Sequence, residues 1–312
     1  MGQPVQGGEA GGAAVGTASL LGRIQQQGLL EALARHIEQK AAEPAFRRDL
    51  PFLRRLLPWM ELFGRYFDAQ VSGFENLPPR GGVLLVGNHS GGVLVPDVPV
   101  LFAAWYRELG FERPLLGLAL DAMFAIPGLE QLMRGIGEIP ANHRNAERAL
   151  AEGAAVLVYP GGGREAFRPW RLRNRIDFGG HKGFVRLALR TGVPVVPVVG
   201  HGAHETLVVL ARGDRLARRL GLDRLRLPAV PLVWGLPWGV SPALPPSIPL
   251  PAQIRVELLP SLDWSQHGPE AARDEALVDR CYREITERMQ AALTRMARQK
   301  PFPLLSRLCR LL

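Results

Sequence analysis

His89 is the side chain in this sequence best placed to move a proton. It lies in Gly87-Asn-His-Ser-Gly-Gly-Val-Leu-Val-Pro-Asp97, directly after a short apolar run and among small residues that leave room for a substrate. An imidazole near its ordinary pKa of ~6.5 can take a proton from a hydroxyl close to neutral pH. A carboxylate that accepts from the other ring nitrogen would fix the tautomer and stabilise the imidazolium. Asp97 is the one carboxylate near enough in sequence for that task, and its place in Pro-Asp-Val-Pro also reads as a helix N-cap.

A second chemical segment is Tyr159-Pro-Gly-Gly-Gly-Arg-Glu-Ala-Phe-Arg168. The N–H groups of Gly161, Gly162 and Gly163, following a strand, could face an anion. Arg164 and Arg168 could add charge-assisted contacts to phosphate. The spacing is not that of a P-loop, and a glycine-rich turn with surface arginines is the plain alternative. In the third segment, His181-Lys-Gly-Phe, Lys182 stands where a helix begins. A cation there opposes the helix dipole and makes sense against a bound phosphate, or else it is simply solvated.

Other chemistries lack their residues. No Gly-x-Ser-x-Gly elbow surrounds a serine, and no activated serine or cysteine is evident. His201 and His204 lack the glutamate and the spacing of a helical zinc site, so no metal is expected. The two cysteines, Cys281 and Cys309, suit a reducing compartment and exclude a disulfide framework.

The elements that must position these segments alternate. Apolar runs at 83–86, 115–119, 155–159 and 193–199 read as buried strands. Helical patterns at 97–109, 122–134, 142–152 and 182–190 lie between them. The expected fold is α/β, a mostly parallel sheet flanked by helices, with amphipathic helices at the N- and C-terminal ends. In such sheets ligands sit beyond the carboxyl ends of the strands, where His89 and the glycine run fall. The expected organisation is a disordered Gly/Ala-rich stretch at 1–17, a helical membrane-interface segment at 18–71, the α/β domain at 72–265, and a helix with a basic amphipathic tail at 266–312.

Charge is uneven across the 312 residues. Residues 134–226 hold 17 Arg/Lys against 8 Asp/Glu, which carries the whole net charge of +9. A basic middle calls for an anionic partner or is a solvated arginine-rich face. Nucleic acid fits poorly, because no zinc-finger spacing, basic heptad or aromatic RNA-binding signature occurs. Residues 227–254 contain eight prolines, Trp234, Trp238 and no charged side chain. So many prolines exclude a membrane-spanning helix, which leaves an apolar lid, a membrane-dipping loop or an irregular wrap on the core. Residues 50–67 and 302–312 combine arginines with large apolar groups. Both suit a bilayer surface, and 50–67 equally suits a helix packed on the main domain.

Taken in order, four segments resemble the glycerolipid/lysophospholipid acyltransferase superfamily, the relatives of 1-acylglycerol-3-phosphate acyltransferase. The counterparts of its blocks are Asn88-His89…Asp97, Gly137-Glu-Ile-Pro140 with Arg144 nearby, Tyr159-Pro-Gly-Gly-Gly-Arg164, and Val193-Pro-Val-Val-Pro197. The resemblance covers about residues 75–210. Seven residues separate His89 from Asp97 where the family has four. The third block has Gly161 and Gly163 where the family has Glu and Thr, with Glu165 following the arginine as its carboxylate. Pro-Gly-Gly-x-Arg-Glu also looks like the branch that acylates neutral mono- and diacylglycerols.

The resemblance implies an acyl-CoA or acyl-ACP dependent O-acyltransferase, with the donor as co-substrate and no cofactor. Its acceptor would be a glycerolipid hydroxyl such as that of a lysophosphatidate. It implies His89 as general base held by Asp97, and Arg164, Arg144 and Lys182 on phosphate. It further implies a place at the cytoplasmic face of a membrane, peripheral or monotopic. A neutral acceptor, an ester or thioester hydrolase, and a non-catalytic lipid-binding protein are the alternatives.

Overall fold

The structure, a computed structural model, describes residues 31–32, 35–37, 39, 48–221, 230–243 and 247–311. The stretch expected to be disordered, 1–17, and most of 18–47 lie outside the described residues.

The first complete helix, α1 (Leu50–Tyr66), starts where Asp49 accepts a hydrogen bond from the Phe52 N–H. Its inner face, Leu53 and Met60, packs against α2 (Asp97–Leu109), while Trp59 and Leu62 are exposed. Beyond it lie β1 (Gln70–Ser72), β2 (Val83–Gly87), β3 (Leu115–Ala119), α3 (Leu129–Ile136) and β4 (Glu138–Pro140). The helix expected over 122–134 is interrupted. A 3-10 turn at Asp121–Ala125 stops before Pro127, and Gly128, with φ of 82°, restarts the chain as α3. Next come α4 (His143–Ala151), β5 (Ala155–Val158), α5 (Gly162–Ala166), α6 (Gly183–Thr191) and β6 (Val195–His201). The chain continues through β7 (Val208–Ala211), α7 (Asp214–Arg219), β8 (Leu232–Gly235), β9 (Gly239–Pro242), β10 (Arg255–Leu258), α8 (Glu275–Gln299) and α9 (Pro303–Leu311).

Seven strands form the main sheet in the order β1-β10-β6-β2-β5-β3-β4. The five from β6 to β4 are parallel, and β10 and β1 run the other way at one edge. Strand residues alternate between two cores. Leu84, Val86 and Val156 face α6 and α8, whereas Val83, Leu85 and Leu157 face α1 and α2. Burial on both faces is why these strands read as continuous apolar runs. α8 belongs to the first core through Val278, Cys281, Ile285 and Met289, so it covers the sheet and is not an appendage to it.

The proline-rich stretch folds as β8 and β9, which join β7 in a separate three-stranded antiparallel sheet. Among the described residues no helix is long and apolar enough to cross a membrane.

Candidate functional site

β2, β5 and β6 end side by side, and the loops that follow them build the site. Gly87 closes β2 because the Tyr159 ring occupies the space a Cβ would need. Asn88 is buried and clasps β6 with two bonds. Its Nδ2 donates to the Gly200 carbonyl at 2.9 Å, and its Oδ1 accepts from the Gly200 N–H at 2.8 Å.

His89 follows, half-buried, with its ring stacked on Tyr159 at 4.4 Å between centroids. Its backbone is held at both ends by side chains from the third segment. The His89 N–H donates to Glu165 Oε2 at 2.9 Å, and its carbonyl accepts from Arg168 Nη1 at 2.9 Å. Arg168 also donates to Ser90 Oγ and to the carbonyls of Glu165 and Arg173. Glu165 and Arg168 form a buried ion pair at 3.5 Å. The expectation that Arg168 contacts phosphate is corrected here. Arg168 is 2% exposed and its guanidinium is engaged in holding the His89 loop.

The seven residues between His89 and Asp97 form a turn in which Gly91, Gly92 and Val95 have φ of 85°, 68° and 40°. Positive φ is costly for a β-branched residue, so Val95 marks a strained loop. The turn returns Asp97 to the start of α2, where it is 2% exposed and faces Gly200 of β6. Asp97 and His89 make no hydrogen bond or ion pair with each other. His89 Nδ1 and Asp97 Oδ1 are each buried without a partner.

The electrostatics follow from burial. Burial, reinforced by the Arg168 charge, pushes the His89 imidazole down to about 3. Burial raises the Asp97 carboxyl to about 8, against the opposing pull of nearby amides and Arg168. Burial likewise raises Glu165 to about 7 despite Arg168. In the unliganded site at neutral pH the imidazole is therefore neutral and most Asp97 carboxyls carry a proton.

The glycine run is explained mostly by packing. A Cβ on Gly161 would strike Glu165 and the Asp177 carbonyl, so glycine there lets the buried glutamate in beneath the turn. The Gly162 N–H is already bonded to the Tyr159 carbonyl, so it is not a free anion donor. Gly163 has open space around it. Arg164 lies at the surface, paired with Asp177 at 3.2 Å. Lys182 caps α6 at its start, and its ammonium pairs with Asp279 of α8. That neighbouring carboxylate was unforeseeable from local spacing. Arg144 is exposed on α4 and makes no bond to the His89 loop.

Two participants were not anticipated in their roles. Tyr159 is the platform for the imidazole. His204 is buried and bonded through Nε2 to the Arg168 carbonyl at 2.7 Å, which braces the arginine from below. Beside the loop runs an apolar cleft lined by Val93, Leu94, Leu207, Ala243 and Pro249.

A sequence model of the Acyltransferase family matches residues 68–200, a span that holds His89, Asp97, Tyr159, Glu165 and Arg168. An uncharacterized protein of Mycobacterium leprae is 30% identical over 263 residues, covering 83% of this chain and 67% of that protein. One from Mycobacterium tuberculosis is 32% identical over 235 residues, covering 75% and 63%. A Bos taurus protein described as a DGAT1/2-independent enzyme synthesizing storage lipids is 28% identical, covering 74% and 65%. The chain thus spans about two thirds of the length of these curated relatives. The crystal structure of a 1-acyl-sn-glycerophosphate acyltransferase, PlsC, from Thermotoga maritima matches 75% of this chain and 80% of that one. Its 19% identity and TM-score of 0.42 are too loose to bear on function. With its motif-bearing segment inside the matched span, the chain belongs to the glycerolipid acyltransferase superfamily.

Proposed function

We propose that the chain transfers a fatty acyl group from a thioester, acyl-CoA or acyl carrier protein, to a lipid hydroxyl, with His89 as the general base. The observation that carries this reading is that His89, just after β2, and Asp97, at the start of α2, each keep a buried side-chain atom, Nδ1 and Oδ1, without a partner. Buried polar atoms normally have partners, and these two suit each other. An imidazole held near 3 is a weak base. Once Asp97 ionises and turns to Nδ1–H, the imidazolium is stabilised and Nε2 becomes a competent base. Nε2 then takes the acceptor proton as the oxygen attacks the thioester carbonyl. The carbonyl re-forms, the thiolate leaves, and the proton passes from Nε2 to the sulfur. No acyl-enzyme is needed.

The acceptor we favour is a neutral glycerolipid such as mono- or diacylglycerol. Three cations that could have bound a phosphate already have partners: Arg168 with Glu165, Arg164 with Asp177, and Lys182 with Asp279. Further relatives carry names consistent with neutral acceptors, a Mus musculus "Diacylglycerol O-acyltransferase 2-like protein 6" and an Arabidopsis thaliana "Phytyl ester synthase 2, chloroplastic". A phosphate-bearing acceptor such as lysophosphatidate is the competing reading and would draw on Arg164 and Arg144.

The test offers labelled acyl-CoA, and separately acyl carrier protein, with lysophosphatidate, other lysophospholipids, monoacylglycerol, diacylglycerol and a fatty alcohol. Ester formation on a neutral acceptor is the expected result. Faster transfer to lysophosphatidate, lost selectively in Arg164→Ala, would reverse the acceptor assignment. Free fatty acid without any acceptor would make the protein a hydrolase.

A further inference from the structure

The three-stranded sheet of β7, β8 and β9 is apolar on both faces. Its inner face has an evident purpose. Val209 and Val233 join Leu207, Ala243 and Phe167 in a small core. Leu207 and Phe167 fill the space a Cβ on Gly92 would need, so this core backs the loop that carries His89. The outer face should alternate to polar residues if it met water, because a half-covered antiparallel sheet reads apolar in and polar out. It does not. Leu232 and Trp234 point outward from β8, and Val240 stands across from Trp234 in register on β9. The hairpin tip adds Trp238, and Ile248 is bridged to Leu236 beside it. Val240 is 61% exposed, Ile248 57% and Trp238 52%. Single exposed apolar groups are ordinary, but a contiguous face of them marks an interaction surface.

The charge beside this face indicates its occupant. β7 leads through Arg212 into α7, which exposes Arg215, Arg218 and Arg219 alongside Leu216 and Leu220. Like Arg144, Arg171 and Arg175 elsewhere in the basic middle of the sequence, these three are exposed and make no ion pair with any described residue, whereas Lys182 and Arg186 are paired with α8. Indoles on an apolar face bordered by arginines match the boundary of a bilayer, with rings at headgroup depth and guanidinium groups on anionic headgroups. We propose that the outer face of this small sheet, with α7 at its edge, docks onto an anionic lipid bilayer. The docked sheet would hold the apolar cleft beside Val93 and Leu94 close to the lipid from which acyl chains come. The inference stands on the surface alone and holds whichever acceptor the site uses.

The test is co-sedimentation of the full chain with vesicles of phosphatidylcholine alone or mixed with phosphatidylglycerol, with no acyl donor present. Wild type should bind the mixed vesicles more tightly. Trp238→Glu/Val240→Glu should weaken that binding by about tenfold or more, since 1.4 kcal/mol is a factor of ten. Arg215→Gln/Arg218→Gln/Arg219→Gln should lose about fivefold per arginine on the anionic vesicles only. Circular dichroism melts check that each variant is folded. Should the hairpin variant not fold, brominated-lipid quenching of Trp59→Phe supplies the answer, because Trp234 and Trp238 are then the exposed indoles. Quenching is expected, and its absence would overturn the proposal. Wild-type binding by the folded hairpin variant would also overturn it, as would a dimer that this variant dissociates while vesicle binding persists. Loss of binding in Trp59→Glu alone, with the hairpin variant unaffected, would move the contact to α1 and equally defeat it.

Discussion

Asp97 is the residue whose titration separates the competing pictures of this site. Its folded-state pKa, about 8, lies above the ordinary value of 3.8 because the carboxyl is buried. The folded chain therefore keeps a proton that the unfolded chain releases above about pH 4. The group costs nothing below that pH, and its drag on stability grows as pH rises toward 8. Asp97→Asn, which carries no charge in either state, should match wild type in thermal melts near pH 4. It should exceed wild type by ~2 °C or more at pH 8, where each kcal/mol moves the midpoint of a chain this size by a few degrees. A constant difference across that range would mean that Asp97 is already ionised in the resting site, against His89 as a cation. His89, Asp97 and the glycine run were legible because each follows an apolar run within one short segment. The functions of Tyr159 and Arg168 were not. Arg168 reaches the carbonyl of His89 across 79 positions of sequence, and no local pattern distinguishes a buried arginine from a surface one.

At the scale of elements, the loop after β2 is shaped by the helical turn after β5. Glu165 and Arg168, one turn apart on either side of the end of α5, grip the N–H and the carbonyl of His89. Removing one partner of a buried ion pair leaves the other uncompensated, which typically costs about 3–5 kcal/mol. Arg168→Met should therefore lower the unfolding free energy by about that amount. Glu165→Gln/Arg168→Met should recover part of the loss, since neither charge then remains. Denaturant titration of the two variants measures both effects. If Arg168→Met matched wild type, the arginine would not be what holds the loop. The strands of the main sheet were readable because they are buried on both faces. The small sheet was not, for a related reason. Pro231 and Pro242 flank its hairpin, and its outward residues are as apolar as its inward ones, so no alternation signals a strand. The 122–134 helix failed at Pro127-Gly128, where the chain needs a positive φ.

Across the whole molecule, the surplus of positive charge turns out to be divided. Lys182 and Arg186 find Asp279 and Glu275 on α8, acids from a neutral part of the sequence, and Arg173 finds Glu205. Much of the basic middle is thus an intramolecular matter, and a count along the chain could not reveal this because the partners are remote. The edge beside the small sheet keeps exposed arginines, and one apolar unit there both backs the His89 loop and faces outward. His89 is proposed as the base of the acyl transfer. The most direct measurement is the rate of ester formation from labelled acyl-CoA to the best acceptor, for wild type and His89→Ala side by side, with thermal melts showing both folded. A lost general base costs ~10²–10⁴ in rate, and a drop of that size with the fold intact is the predicted result. Equal rates from the two proteins would mean that His89 is not the base.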